Sequence, residues 1–80
     1  MKSKEAIRMR ILELCDQRNM SVNALGRVSG ITQSTLNNIV SGRNNSTTVS
    51  TIKKICDGLE INLPEFFESQ YFLDLEQEIY

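Results

Sequence analysis

Eighty residues, 40% of them apolar and 24% charged, leave room for one small domain with a thin core. There is no His, and Cys15 and Cys56 stand alone with no C-x-x-C spacing, so zinc, haem-attachment and thioredoxin-like chemistry are not expected, and a deep catalytic cleft has little room. The formal net charge of −1 hides a division: residues 1–54 hold all nine bases against three acids, a net of +6, whereas residues 55–80 hold seven acids and no base. That asymmetry suits a chain with one part facing a polyanion and one facing elsewhere, or two solvated patches that cancel for solubility.

Residues 4–18 predict a helix, with Ile7, Ile11, Leu14 and Cys15 on one face, Ser3 as its cap and Asn19 closing it in a left-handed conformation. The chain starts Met-Lys-Ser-Lys-Glu, without the apolar run of a signal peptide, and no stretch reaches the roughly 20 apolar residues of a membrane helix. A cytoplasmic chain with reduced thiols is therefore expected. Ser21 predicts the cap of a second helix, about 22–28, with Val22, Leu25 and Val28 on its apolar face. Gly30 supplies the positive φ of a sharp turn, Ile31 tucks into the core, and Thr32 caps a third helix, about 33–41, ended by Gly42. Leu36, Ile39 and Val40 form its buried stripe.

After a polar loop from Arg43 to Thr47, Thr48 or Thr47 caps a fourth helix carrying Val49, Ile52, Ile55, Cys56 and Leu59, its last turn weakened by Gly58. Asn62, Pro64 and Glu65 form the start of a fifth helix to Glu68, anchored by Phe66 and Phe67. In residues 69–80, Phe72, Leu75 and Ile79 would share a helix face, but helix, strand and loose tail all remain open. The expected architecture is all-α, five short helices over residues 1–68, with an acidic and apolar C-terminal extension over 69–80.

The informative segment is Ser21–Gly42, SVNALGRVSGITQSTLNNIVSG. A short capped helix, a glycine-pivoted turn and a second capped helix have the layout of a helix-turn-helix. With Leu36 set at 0° on a wheel of about 100° per residue, Ile39 and Val40 mark the buried side, and Ser34, Asn37, Asn38 and Ser41 fall opposite. That outer face is all amide and hydroxyl. Gln and Asn pair bidentately with adenine, and Ser serves several bases. A helix entering the major groove reads chiefly through its N-terminal residues, which favours Gln33 and Ser34.

These residues resemble the phage repressor/Cro-type (XRE-like) helix-turn-helix DNA-binding proteins. The resemblance spans roughly residues 5–68. It rests on Ser21–Gly42, on Gly30 and Gly42, and on the run from Thr48 through Leu59 followed by Asn62-Leu-Pro-Glu-Phe-Phe67. It implies a lambda-repressor-like fold. It also implies base contacts from Gln33, Ser34, Asn38 and Asn37, with Thr32 at the groove edge. Phosphate contacts are implied for Ser21, Val22, Arg43, Asn44 and Asn45, and a homodimer for a two-fold operator. The chain departs from the family at Gly26, where Ala is usual, and at Thr47, where Pro is common.

The expected function is thus sequence-specific binding of double-stranded DNA by a transcriptional regulator, a repressor by preference, without enzymatic activity, cofactor or metal. The alternative is a protein-interaction module on the same scaffold, of antitoxin or anti-repressor type, with a protein partner bound through 55–80. Lys53, Lys54, Arg10 and Arg27 are open to either solvated charge or phosphate contact. Cys15 and Cys56 sit on apolar stripes and read as core. Asp74, Glu76 and Glu78 read as an acidic tail rather than a metal site.

Overall fold

Four of the five α-helices among the described residues begin where a polar side chain satisfies a backbone N–H group that has no helical acceptor. The computed structural model describes residues 1–43 and 47–77. It contains α1 (Ser3–Gln17), α2 (Val22–Ser29), α3 (Gln33–Val40), α4 (Val49–Leu59) and α5 (Leu63–Phe67), then one 3-10 turn at Gln70–Phe72. No strand occurs among the described residues, and the chain is all-α. The side chains of Ser21, Thr32 and Thr48 accept from the N–H groups of Ala24, Thr35 and Thr51. Asn62 and Glu65 form a reciprocal capping box, with Pro64 inside the first turn of α5. Ser3 is not the cap of α1. Lys2 takes that position in extended conformation, and its carbonyl accepts from the N–H groups of both Glu5 and Ala6.

The connections are equally local. Asn19 has φ 51°, Gly30 φ 69° and Gly42 φ 81°. α4 runs through Gly58 and ends at Glu60, which has φ 58° although it is not glycine. The Ile61 N–H reaching back 3.0 Å to the Cys56 carbonyl closes that end.

The core joins Ile7, Ile11 and Leu14 of α1, Leu25 of α2, Leu36 and Ile39 of α3, Ile52, Ile55 and Leu59 of α4, and Phe66 of α5. Ile31 from the α2–α3 turn, Cys15 and Cys56 complete it. Two expected core residues lie outside: Val28 is 52% exposed and Val49 66% exposed. On α2 the buried positions are Leu25, Gly26 and Ser29. This rotation follows from the approach of α4, where a Cβ on Gly58 would stand 2.5 Å from Ser29 Oγ and 3.0 Å from the Val28 carbonyl. The two helices meet closely enough that Ser29, not Val28, fits between them. Phe67, expected as an anchor beside Phe66, is 39% exposed and stacks edge-on against both Phe66 and Phe72, with ring centroids 5.0 and 4.9 Å away.

Residues 69–77 do not form the helix that Phe72 and Leu75 allowed. Phe72 is drawn onto Phe66 and Phe67, with ring centroids 6.2 and 4.9 Å away, which confines regular structure to a single turn. The chain then runs back along α1, and the Glu76 N–H donates to the Met1 carbonyl. Ile79 lies outside the described residues.

Candidate nucleic-acid interface

The α2–α3 corner is built by hydrogen bonds within its own sequence. Gly30 turns the chain left-handed, the Ile31 N–H donates to the Gly26 carbonyl at 3.1 Å, and Thr32 opens α3. Leu25, Ile31, Leu36 and Ile39, all buried, fix the angle between the helices. α1 braces the far end of α3, where Arg8 Nε donates to the Val40 carbonyl. This carbonyl is one of the helix's last, which have no helical donor, so the cation also complements the C-terminal dipole.

With Leu36 and Ile39 turned inward, α3 presents Ser34, Thr35 and Asn37 to solvent and Asn38 half-buried. No residue of α3 is charged. Thr32 is exposed at the N-terminal edge, with its hydroxyl engaged with Thr35. Ser21 is exposed at the start of α2, and Val22 is half-buried against the core. At the other end, the Arg43 N–H donates to the Asn38 carbonyl and its Nε to Ser41 Oγ, which sets an exposed guanidinium directly after the helix. α3 ends at Val40, one residue before its expected limit, with Ser41 as the cap. Asn44 and Asn45 lie outside the described residues.

Gln33 occupies the first position of α3 but does not extend from it. Its Nε2 donates to the Asn23 carbonyl of α2 at 3.0 Å, and its Oε1 is sealed from solvent without a hydrogen-bond partner.

Of the four bases left open by sequence, Arg10 is removed from any phosphate. It is 9% exposed, donates to the Phe66 and Glu65 carbonyls at 2.7 Å each, and pairs with Glu13 at 2.6 Å. Its role is to close the C-terminal end of α5, which the sequence reading missed. The only signal for it was its position within turn-distance of Ile7 and Leu14 on the buried side of α1. Lys53 is exposed and ion-paired with Asp57, while Arg27 and Lys54 are exposed. Burial pushes both thiols above their ordinary pKa, and the Asp57 charge adds to the effect at Cys56. No group of three or more metal-ligating side chains occurs among the described residues, and no described helix is long and apolar enough to cross a membrane.

A capped short helix, a left-handed glycine, and a second capped helix with a polar, uncharged outer face define a helix-turn-helix domain. The family model of the Cro/C1-type HTH DNA-binding domain matches residues 10–70, and the chain belongs to that family. The structure is also similar to the crystal structure of the prophage Lp1 protein 11. The TM-score is 0.81 at 32% identity, over 94% of this chain and all of that one. No curated protein matches.

Proposed function

We propose that this chain binds double-stranded DNA in a sequence-specific manner and regulates transcription, as a repressor, by occupying its site. The observation that carries the reading is the solvent-facing, uncharged amide-and-hydroxyl surface of α3 within a DNA-binding family frame. In this reading α3 enters the major groove. Ser34, Asn37 and Asn38 contact base edges directly, Gln33 contacts one once its amide leaves α2, and Thr32 lies at the groove edge. Ser21 and Val22 at the start of α2 grip one phosphate run, and the loop carrying Arg43, Asn44 and Asn45 grips another. Such a role would put the chain in the compartment that holds the DNA, the cytoplasm.

In the same reading the chain acts as a homodimer on a two-fold operator, which its size favours. Single modules bury only about 600–1,000 Å² of protein surface on DNA, less than most specific complexes. Extents of 37 × 24 × 20 Å allow two protomers on one face of the duplex, with half-sites about 34 Å apart or a multiple.

Selection from a random DNA pool tests the reading. A palindromic site whose affinity falls linearly on a log–log plot against salt is expected. Replacing Ser34 or Asn38 by Ala is expected to relax preference at one base pair each, by about 1–3 kcal/mol. Enrichment of no sequence would overturn the proposal.

Exposed Phe67, Leu73 and Leu75 in the acidic segment support a second reading, a protein partner held through 55–80 as in antitoxins and anti-repressors. It is compatible with DNA binding, and co-purification of a single basic partner that is lost with Leu73→Asp tests it.

A further inference from the structure

The space that holds the Gln33 amide exists because residue 26 is glycine. A Cβ on Gly26 would stand 2.5 Å from Gln33 Nε2 and 3.3 Å from its Cδ, the first well inside any tolerable contact. We propose that Gly26 is a specificity-determining position that acts through Gln33. It opens a niche on α2 in which the amide is parked, and the side chain reads a base only on leaving that niche. The inference rests on the reading of α3 as the groove helix and deepens it.

The chemistry favours parking over presentation. Bidentate recognition of adenine needs Oε1 to accept from N6 while Nε2 donates to N7. In the niche, Oε1 is closed off and one Nε2 hydrogen is committed to the Asn23 carbonyl, so that pair cannot form. The bond to Asn23 holds the amide in. The buried, unpaired Oε1 works in the other direction, because it has given up water without gaining a donor. With one bond made and one missing, the latch lies near balance, and a base edge offering both partners can compete for the amide.

The consequence is tolerance at one base pair. Without a refuge, Gln33 facing the wrong base would be an amide buried in the groove without partners, which costs affinity. With the niche, the same side chain retreats to Asn23, and a wrong base forfeits only the contact it never made. Filling the niche is expected to make that position more stringent. Gly26 is a positioning residue in this scheme, since it touches no DNA itself.

Nuclear magnetic resonance on the unmodified protein tests the latch directly. Side-chain amide protons of Gln33 are expected to show cross-relaxation to the Gly26 α-protons in the free protein and with non-specific duplex, and to lose it with the selected duplex. Absence of that signal in the free protein, or its persistence with the selected duplex, overturns the proposal whether or not any variant folds.

Affinities for single-base variants of the selected site supply the second arm. Gly26→Ala is expected to raise discrimination about three- to tenfold at one base pair, the worth of the hydrogen bond to Asn23 that a wrong base then also costs. Gln33→Ala should abolish preference at that same pair, and Gly26→Ala should add nothing in the Gln33→Ala background. An equal effect in both backgrounds would point to the Ile31 carbonyl, 3.2 Å from the added Cβ, and overturn the proposal. If Gln33→Ala abolishes the preference while Gly26→Ala leaves it unchanged, the niche fails and base reading by Gln33 stands. If Gln33→Ala alters no preference, base reading by Gln33 fails and the niche's role in specificity fails with it.

Discussion

A guanidinium buried in the wall of so small a domain must find its acceptors close by, and Arg10 finds three: the carbonyls of Glu65 and Phe66 and the carboxylate of Glu13. The two carbonyls belong to the last turn of α5, where the Glu65 carbonyl has one other donor, the Glu68 N–H at 3.3 Å, and the guanidinium supplies what the helix end lacks. Arg10→Ala leaves both without the cation, and a loss of about 2–4 kcal/mol in urea denaturation is expected. Glu13 is a third exposed, so Glu13→Gln is expected to cost less than about 1 kcal/mol. Equal losses for the two variants would mean that the ion pair, not the carbonyls, is what matters. The two thiols show the same dependence on surroundings. Burial raises both pKa values, so the native protein holds neutral, sheltered thiols at pH 7. Alkylation of Cys15 and Cys56 is therefore expected only through unfolding, at a rate that rises with urea. Because the folded pKa lies above the unfolded one, this contribution to stability is complete below the ordinary thiol pKa and is lost as pH rises through the folded value.

At the scale of elements, the pairing of α2 with α4 depends on Gly58 lacking a side chain. A Cβ there would meet Ser29 Oγ at 2.5 Å, the Val28 carbonyl at 3.0 Å and Ser29 Cα at 3.1 Å, and two of the three are backbone or attached directly to it. Gly58→Ala gains about 1 kcal/mol of helix propensity. It must also push α2 from α4, and overpacking of this kind costs about 1–3 kcal/mol. A net loss is expected in thermal denaturation, whereas Ser29→Ala, which removes a buried hydroxyl without a partner, is expected to be neutral or stabilising. A stabilised Gly58→Ala protein would show that the approach is not tight. These elements also show what a sequence makes legible. Ser21, Thr32, Thr48 and Asn62 announce their helices because a cap is a local bond between residues three apart. The stripes of α1 and α3 are equally local. Gly58 read as a weak point, Val28 as core and Gln33 as a protruding reader, since each depends on which other helix lies opposite. Periodicity contains no information about that.

At the scale of the whole molecule, α1 separates the acidic tail from α3. Arg8 meets α3, while Arg10, Glu13 and Gln17 line a cleft with residues 68–71, about 140–200° further around the same helix. The acidic tail continues along that flank to Met1, whose ammonium pairs with Glu76 at 3.2 Å. A helix about 10 Å thick therefore stands between the tail and α3, more than the roughly 8 Å Debye length at physiological salt. If α3 faces DNA, the tail's charge is screened from phosphate, whereas Arg43, directly after α3, is not. Arg43→Ala is expected to weaken binding to all sequences alike and to reduce the log–log salt slope by about one. Neutralising Glu68 and Asp74 together is expected to change affinity by less than about twofold at that ionic strength, by the same screening. Measuring both variants on one duplex across a salt series separates the faces. A tail variant that tightens binding as much as Arg43→Ala loosens it would place the acidic segment beside the duplex and remove α1 as the barrier between them.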